Sequence, residues 1–174
     1  MAGHLGAAVI AGYLFSEDHP DLDDGVFAGV RRDLDRIIGG EEPFWFNEKQ
    51  AGTKVKAVFD PLPREKPQPN ATSAIAAALA RNIDKTRQSG HNVIFASIAI
   101  RALRDHPDLS GPKLVGGIVK LIASFDGGHA GRGYYGKGEG WKIGNAAPVA
   151  DGKDLPIYAT VAELAAVMIT HLIV

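Results

Sequence analysis

The sequence predicts an all-α fold built from two tandem copies of a unit of about 87 residues. Three observations carry this. First, Gly3-His4 and Asp18-His19-Pro20-Asp21-Leu22 return as Gly90-His91 and Asp105-His106-Pro107-Asp108-Leu109. Second, with one residue inserted, Gly39-Gly40 answers to Gly127-Gly128, and Ala71-Thr72-Ser73-Ala74 to Ala159-Thr160-Val161-Ala162. Third, the segments between these anchors carry apolar residues at helical spacing. A repeated unit leaves an apolar face that its neighbour covers, so repetition bears on architecture before it bears on chemistry. One domain of two units, 1–87 and 88–174, is the expected organisation.

Composition narrows the classes. Of 174 residues, 45% are hydrophobic and 22% charged, the balance of a globular chain with a core. The formal charge of -1 lacks the basic excess that nucleic-acid binding exploits. With no cysteine, thiolate nucleophiles, disulfides, iron–sulfur clusters and cysteine zinc sites are excluded, and neither a cofactor nor a metal is expected. The apolar run Leu5 to Phe15 is preceded by no Lys or Arg and has an equally apolar counterpart at 91–103 in mid-chain, so it reads as a core helix. Both runs fall short of the roughly 20 apolar residues that cross a bilayer. A soluble, cytoplasmic protein is the expectation.

In the first unit, helix A is expected over about 4–18, apolar on every side and therefore buried, with Gly6, Ala7, Ala8, Ala11 and Gly12 allowing close approach of a neighbour. Pro20 and the acidic Asp21, Asp23 and Asp24 suit the opening of helix B, about 21–38, where the positive end of the helix dipole favours anions. Val26, Val30, Leu34 and Ile37/Ile38 form its apolar stripe, and Gly39-Gly40 stops it. Helix C spans about 72–87, capped by Asn70 or Thr72. The second unit repeats the scheme at 91–105, with Val93, Ile94, Phe95, Ile98, Ile100 and Leu103 buried, at 112–125, and from about 160 onward. Inner and outer helices alternate.

Two long irregular segments, 41–70 and 129–158, interrupt the helices, and segments of that length tend to carry function. The first holds Pro43-Phe44-Trp45-Phe46 and an alternating Thr53 to Phe59 run that suggests a short strand. The second holds Gly131-Arg132-Gly133-Tyr134-Tyr135-Gly136-Lys137, then Trp141. Its glycines match a dinucleotide pattern only on paper, because that pattern needs a strand before it and a helix after it.

The candidate site combines the two insertions with the helix starts. His4 and His91, at equivalent helix N-termini, are candidate acid/base groups facing a shared cavity, and Asn92 adds a polar group to the second. Tyr134 and Tyr135 complete the candidate catalytic set. Phe44, Trp45 and Trp141 offer stacking surfaces, with Arg132 and Lys137 as anion donors. His19 and His106 belong to the corner box and are expected to form structural hydrogen bonds. Asp21-Leu22-Asp23-Asp24-Gly25 departs from a calcium loop, since no Glu stands at the twelfth position.

Paired inner and outer helices, glycine-rich corners and aromatic loop insertions resemble the α/α toroid class, which includes glycan-processing hydrolases and lyases, terpenoid cyclases and lanthionine synthetase-like proteins. The absence of cysteine removes the lanthionine synthetase zinc site. The resemblance implies a carbohydrate- or small-molecule-active cavity, with a His or Tyr pair moving a proton and Arg132 neutralising a carboxylate. The rival reading is a non-catalytic helical module for self-assembly or partner binding. Repetition would place a third Gly-His pair at about 178, and the last helix ends in bare apolar residues. Closure of the two ends, cover by a second chain, and membership of a longer toroid each answer that expectation.

Overall fold

The computed structural model describes residues 2–42, 46–134 and 136–144, the side chain of Ala2 excepted. Phe44, Trp45, Tyr135 and the expected helix from about 160 lie outside the described residues. The described part is mostly helical, with one two-stranded sheet.

Helix α1, Ala2–Asp18, and helix α2, Asp24–Ile38, make the first hairpin. Asp23 caps α2 by accepting the Gly25 N–H at 2.7 Å, so the helix begins three residues later than expected and Pro20 belongs to the turn. At its far end, Glu41 N–H reaches Arg36 O at 3.0 Å and Gly40 N–H reaches Ile37 O at 3.1 Å. These two bonds form a Schellman stop in which Gly40 takes φ of +75°.

A short helix α3, Glu48–Ala51, follows. The strand expected over 53–59 is absent: Lys56–Val58 is a 3-10 turn, with Val55 and Val58 exposed. The Glu48 carboxylate decides this, accepting the Val55 N–H at 2.9 Å and the Lys54 ammonium at 3.1 Å, which curls the segment back on α3.

Helices α4, Ala71–Ala80, α5, His91–Asp105, and α6, Pro112–Ala123, hold the main core of Ile75, Ala78, Phe95, Ala96, Leu103, Val115 and Ile122. Gln68 N–H meets Ser110 O before both helices start, and the Asn82 amide meets Ile122 O where both end, so α4 and α6 run the same way. Helix α4 stops at Ala80, short of the expected 87, because Asn82 turns inward to reach that carbonyl. Neither Asn70 nor Thr72 caps it through a side-chain bond. The loop before α4 is pinned at the start of α6, where the Glu65 carboxylate accepts the Lys113 N–H at 2.6 Å.

Helices α1 and α5 lie side by side and parallel. His4 meets His91 near their starts, and Asp18 meets Arg101 at 2.5 Å near their ends. Both Asp-His-Pro-Asp-Leu boxes close the same turn, Leu22 N–H on His19 O at 3.3 Å and Leu109 N–H on His106 O at 3.1 Å. His106 Nε2 stands 3.2 Å from the Glu17 carboxylate of α1 but makes no hydrogen bond there, so the bond expected of the corner histidine is not formed.

Burial corrects the expectation for helix A. Among the described side chains of α1 only Leu14 is buried, while Tyr13 and Phe15 are 48% and 40% exposed. In α5, Phe95 and Leu103 are buried but Val93 and Ile94 are exposed. An all-round apolar helix is buried only where neighbours cover every side, and α1 contacts chiefly α2 and α5. Of the glycines expected to allow close approach, Gly12 does so, since a Cβ there would stand 2.9 Å from Leu34 Cδ2, whereas around Gly6 no atom stands within 4 Å; Gly3, outside that set, would bring a Cβ to 3.2 Å from the Phe95 ring.

Strands β1, Arg132–Tyr134, and β2, Trp141–Ile143, form an antiparallel hairpin with Tyr134 opposite Trp141. The glycine-rich run thus opens no helix, in keeping with the rejection of a dinucleotide site.

Candidate functional site

The site begins with three consecutive residues in left-handed backbone, Gln88 at φ 44°, Ser89 at φ 55° and Gly90 at φ 84°. For the two non-glycine residues this conformation costs about 1–2 kcal/mol each. It is held by the segment that leads into the hairpin: Gln88 N–H donates to His129 O at 2.7 Å and Ser89 N–H to Ala130 O at 2.9 Å. Gly131 packs against the same turn, at φ of +94°.

This turn delivers the Gln88 carbonyl to His91 Nδ1, which donates to it. His91 therefore presents its Nε2 outward, 2.9 Å from His4 Nε2. With His91 protonated on Nδ1, its Nε2 is the acceptor and His4 Nε2–H the donor. The two rings stand edge to face, and each meets the Phe95 ring, at centroid distances of 5.6 Å for His4 and 5.8 Å for His91. They line an open cleft of about 610 Å³ with Gln50, Gln88, Leu121 and Ser124. Apolar floor and a few convergent polar groups are the ordinary make-up of a small-molecule site.

On the far side of Gln88, its side-chain amide lies 3.3 Å from His129 Nε2, while His129 Nδ1 accepts the Gly131 N–H at 3.0 Å. His129 Nδ1 is thereby fixed as an acceptor, and Gln88 Nε2 is the side-chain atom that stands beside its Nε2.

Asn92 belongs elsewhere. It is 2% exposed, and its Nδ2 donates to both oxygens of Asn82, at 3.0 Å each. Buried Arg87 binds the same Asn82 carbonyl at 3.1 Å, the Asp126 carbonyl, and Asp84 at 2.7 Å. The Arg87 guanidinium beside Asp84 holds that carboxyl below its ordinary range. Asn92 thus ties the start of α5 to the ends of α4 and α6.

The remaining candidates gather on the hairpin. Arg132 sits 5.8 Å above the Trp141 ring, and the Tyr134 and Trp141 rings are 5.7 Å apart. Tyr134 and Trp141 are 56% and 63% exposed, with their rings inclined at 53° to each other. Lys137 lies in the connecting turn. The hairpin root adjoins the turn before His91, but three strand residues carry the aromatic pair about 10 Å along from it, and neither ring lines the cleft. Tyr135, Phe44 and Trp45 are outside the described residues. Gln50, Gln88, Ser124 and His129, which the sequence reading passed over, carry no periodic or motif signal; only Gln88 adjoins the repeated Gly-His. No protein-family model, no curated protein and no solved structure matches the chain.

Proposed function

We propose that the chain is a two-unit arc of α/α-toroid-like helical repeat that binds a small polar ligand of the glycan class in the cleft at the N-terminal ends of α1 and α5, with His4 and His91 as a proton-transfer pair of lyase or hydrolase type. The observation that carries this reading is the 2.9 Å approach of His4 Nε2 and His91 Nε2, with His91 oriented from behind by a backbone carbonyl. Orientation of one ring nitrogen by a fixed acceptor leaves the other as a defined base. A ligand entering between the rings would give a proton to His91 Nε2 and receive one from His4 Nε2. Parallel α1 and α5, and identical turns at the two corners, support the repeat. The exposed Arg132, Tyr134 and Trp141 surface suits a sugar carboxylate and ring beside the cleft.

The test is titration of the intact protein with oligosaccharides, neutral and uronate-containing, followed through the imidazole 15N signals. Shifts confined to His4, His91 and His129 support the reading. Unmoved histidines, with any saccharide response restricted to Trp141, would reduce the site to a surface platform. The assembly-module reading draws on the exposed apolar residues of α1 and α2, among them Tyr13, Phe15, Val26 and Ile38.

A further inference from the structure

His4 Nε2 and His91 Nε2 stand 2.9 Å apart, a spacing that one shared proton satisfies when one ring donates and the other accepts. The same spacing suits a shared cation. Two imidazole nitrogens on one ion at about 2.0–2.1 Å, at an angle between square and tetrahedral, stand about 2.8–3.4 Å apart. Behind His91, Nδ1–H donates to the Gln88 carbonyl, which leaves Nε2 unprotonated toward His4. A metal-ligating histidine is ordinarily held in this way, its second nitrogen donating to a carbonyl or carboxylate. That carbonyl is placed by the left-handed turn at Gln88, Ser89 and Gly90, which is bonded in turn to His129 O and Ala130 O. The absence of cysteine excludes thiolate sites but not imidazole sites, and ligands 87 residues apart carry no spacing motif.

We propose that His4 and His91 bind one divalent transition-metal ion of the zinc type in the cleft of about 610 Å³, joining the starts of α1 and α5. The donors select the ion: two neutral imidazole nitrogens suit Zn2+ or Co2+, whereas Mg2+ and Ca2+ take oxygen ligands. Among the described residues no cluster of three His, Asp or Glu forms, so water or a bound ligand takes the remaining positions on the ion. Gln50, Gln88 and Ser124 line the same cleft and offer neutral polar groups to that water. Binding moves the His4 proton from Nε2 to Nδ1 through solvent, since this ring is exposed, and leaves the His91 tautomer as it is. Ion and shared proton compete for one position, so the metal site goes beyond the proton-transfer reading and does not depend on it.

Calorimetric titration of the intact, untagged chain with Zn2+ tests this, alongside imidazole 15N spectra of the metal-free and loaded protein. Expected is one ion per chain, bound at least about tenfold more weakly in His4→Ala and in His91→Ala and equally well in His19→Ala. In wild type the Nε2 signals of His4 and His91 should both move to the position of metal-bound nitrogen, with His91 keeping its Nδ1–H and the other histidines unmoved. The wild-type spectra decide even where His91→Ala fails to fold. An absence of saturable binding overturns the site, as does binding that either variant leaves undiminished, and as do 15N shifts confined to other histidines. Saccharide titration of the metal-free protein judges the proton-transfer reading separately: histidine shifts there, without Zn2+ binding, overturn the metal site and leave that reading standing.

Discussion

His4 Nε2 and His91 Nε2 are 2.9 Å apart across 87 residues of sequence, the same interval by which the Gly-His pair repeats. Equivalent positions of the two copies thus meet each other. Because Gln88 O receives the His91 Nδ1 proton, the pair has a direction, from His4 as donor to His91 as acceptor. We expect 15N spectra to report His91 as the Nδ1–H tautomer and His4 as protonated on Nε2. A His91 ring with its proton on Nε2 would contradict this arrangement. His4→Ala should leave the fold intact, since His4 is exposed, and should abolish the saccharide-induced shift at His91.

Two glycines of α1 should respond differently to alanine. Around Gly6 no atom stands within 4 Å of an added Cβ, so Gly6→Ala should stabilise the protein by about 0.5–1 kcal/mol through helix propensity. At Gly12 the same gain opposes a 2.9 Å contact with Leu34 Cδ2, the mobile end of a side chain. Gly12→Ala should be near neutral, whereas Gly12→Val, which cannot be accommodated by one rotamer shift, should cost about 1–3 kcal/mol. Urea denaturation of the three variants measures the order.

At the hairpin root, Gly131→Ala should destabilise by at least about 2 kcal/mol, because φ is +94° and the Cβ would fall 2.1 Å from Ser89 Oγ and 2.6 Å from Ser89 N. Ser89→Gly should do the reverse. Relief of about 1–2 kcal/mol of left-handed strain outweighs the roughly 0.5–1 kcal/mol of glycine entropy, leaving a gain of up to about 1 kcal/mol by thermal or urea unfolding. A destabilised Ser89→Gly variant would refute the left-handed turn that orients His91.

Asn92→Ala should cost about 1–3 kcal/mol, since it strands the side-chain oxygen of buried Asn82, whose main-chain carbonyl keeps Arg87. Saccharide-induced shifts of His4 and His91 should survive it. Loss of those shifts in a variant that still folds would return Asn92 to the site.

Acid should weaken the joint between the hairpins. Asp18 is held below its ordinary range by its hydrogen bond from Arg101, and Asp105 by Arg104 and then Arg101. A depressed folded value means stability that is present above the unfolded value and lost as pH falls through the folded one. Stability should therefore decline as pH drops below the ordinary aspartate range, more shallowly in Arg101→Gln. Both groups are solvent-exposed, so salt should flatten the same difference. An Arg101→Gln profile parallel to wild type would show that this contact contributes nothing to the linkage.

The sequence by itself determined the helical class, the starts of α5 and α6, the stops after Ile38 and the shared corner turns. Each of these follows from residues within a few positions of one another: an apolar period, a proline, a glycine pair, an Asp cap. The conjunction of His4 with His91 was legible as equivalence, but not as contact. Only tertiary structure decided that Asn92 serves Asn82, that Thr53 to Phe59 curls around Glu48, and that α1 keeps Tyr13 and Phe15 exposed. It also decided that the hairpin aromatics pair with each other rather than line the His4–His91 cleft. These outcomes depend on partners distant in sequence or on which side of a helix a neighbour covers, and local periodicity carries no information about either.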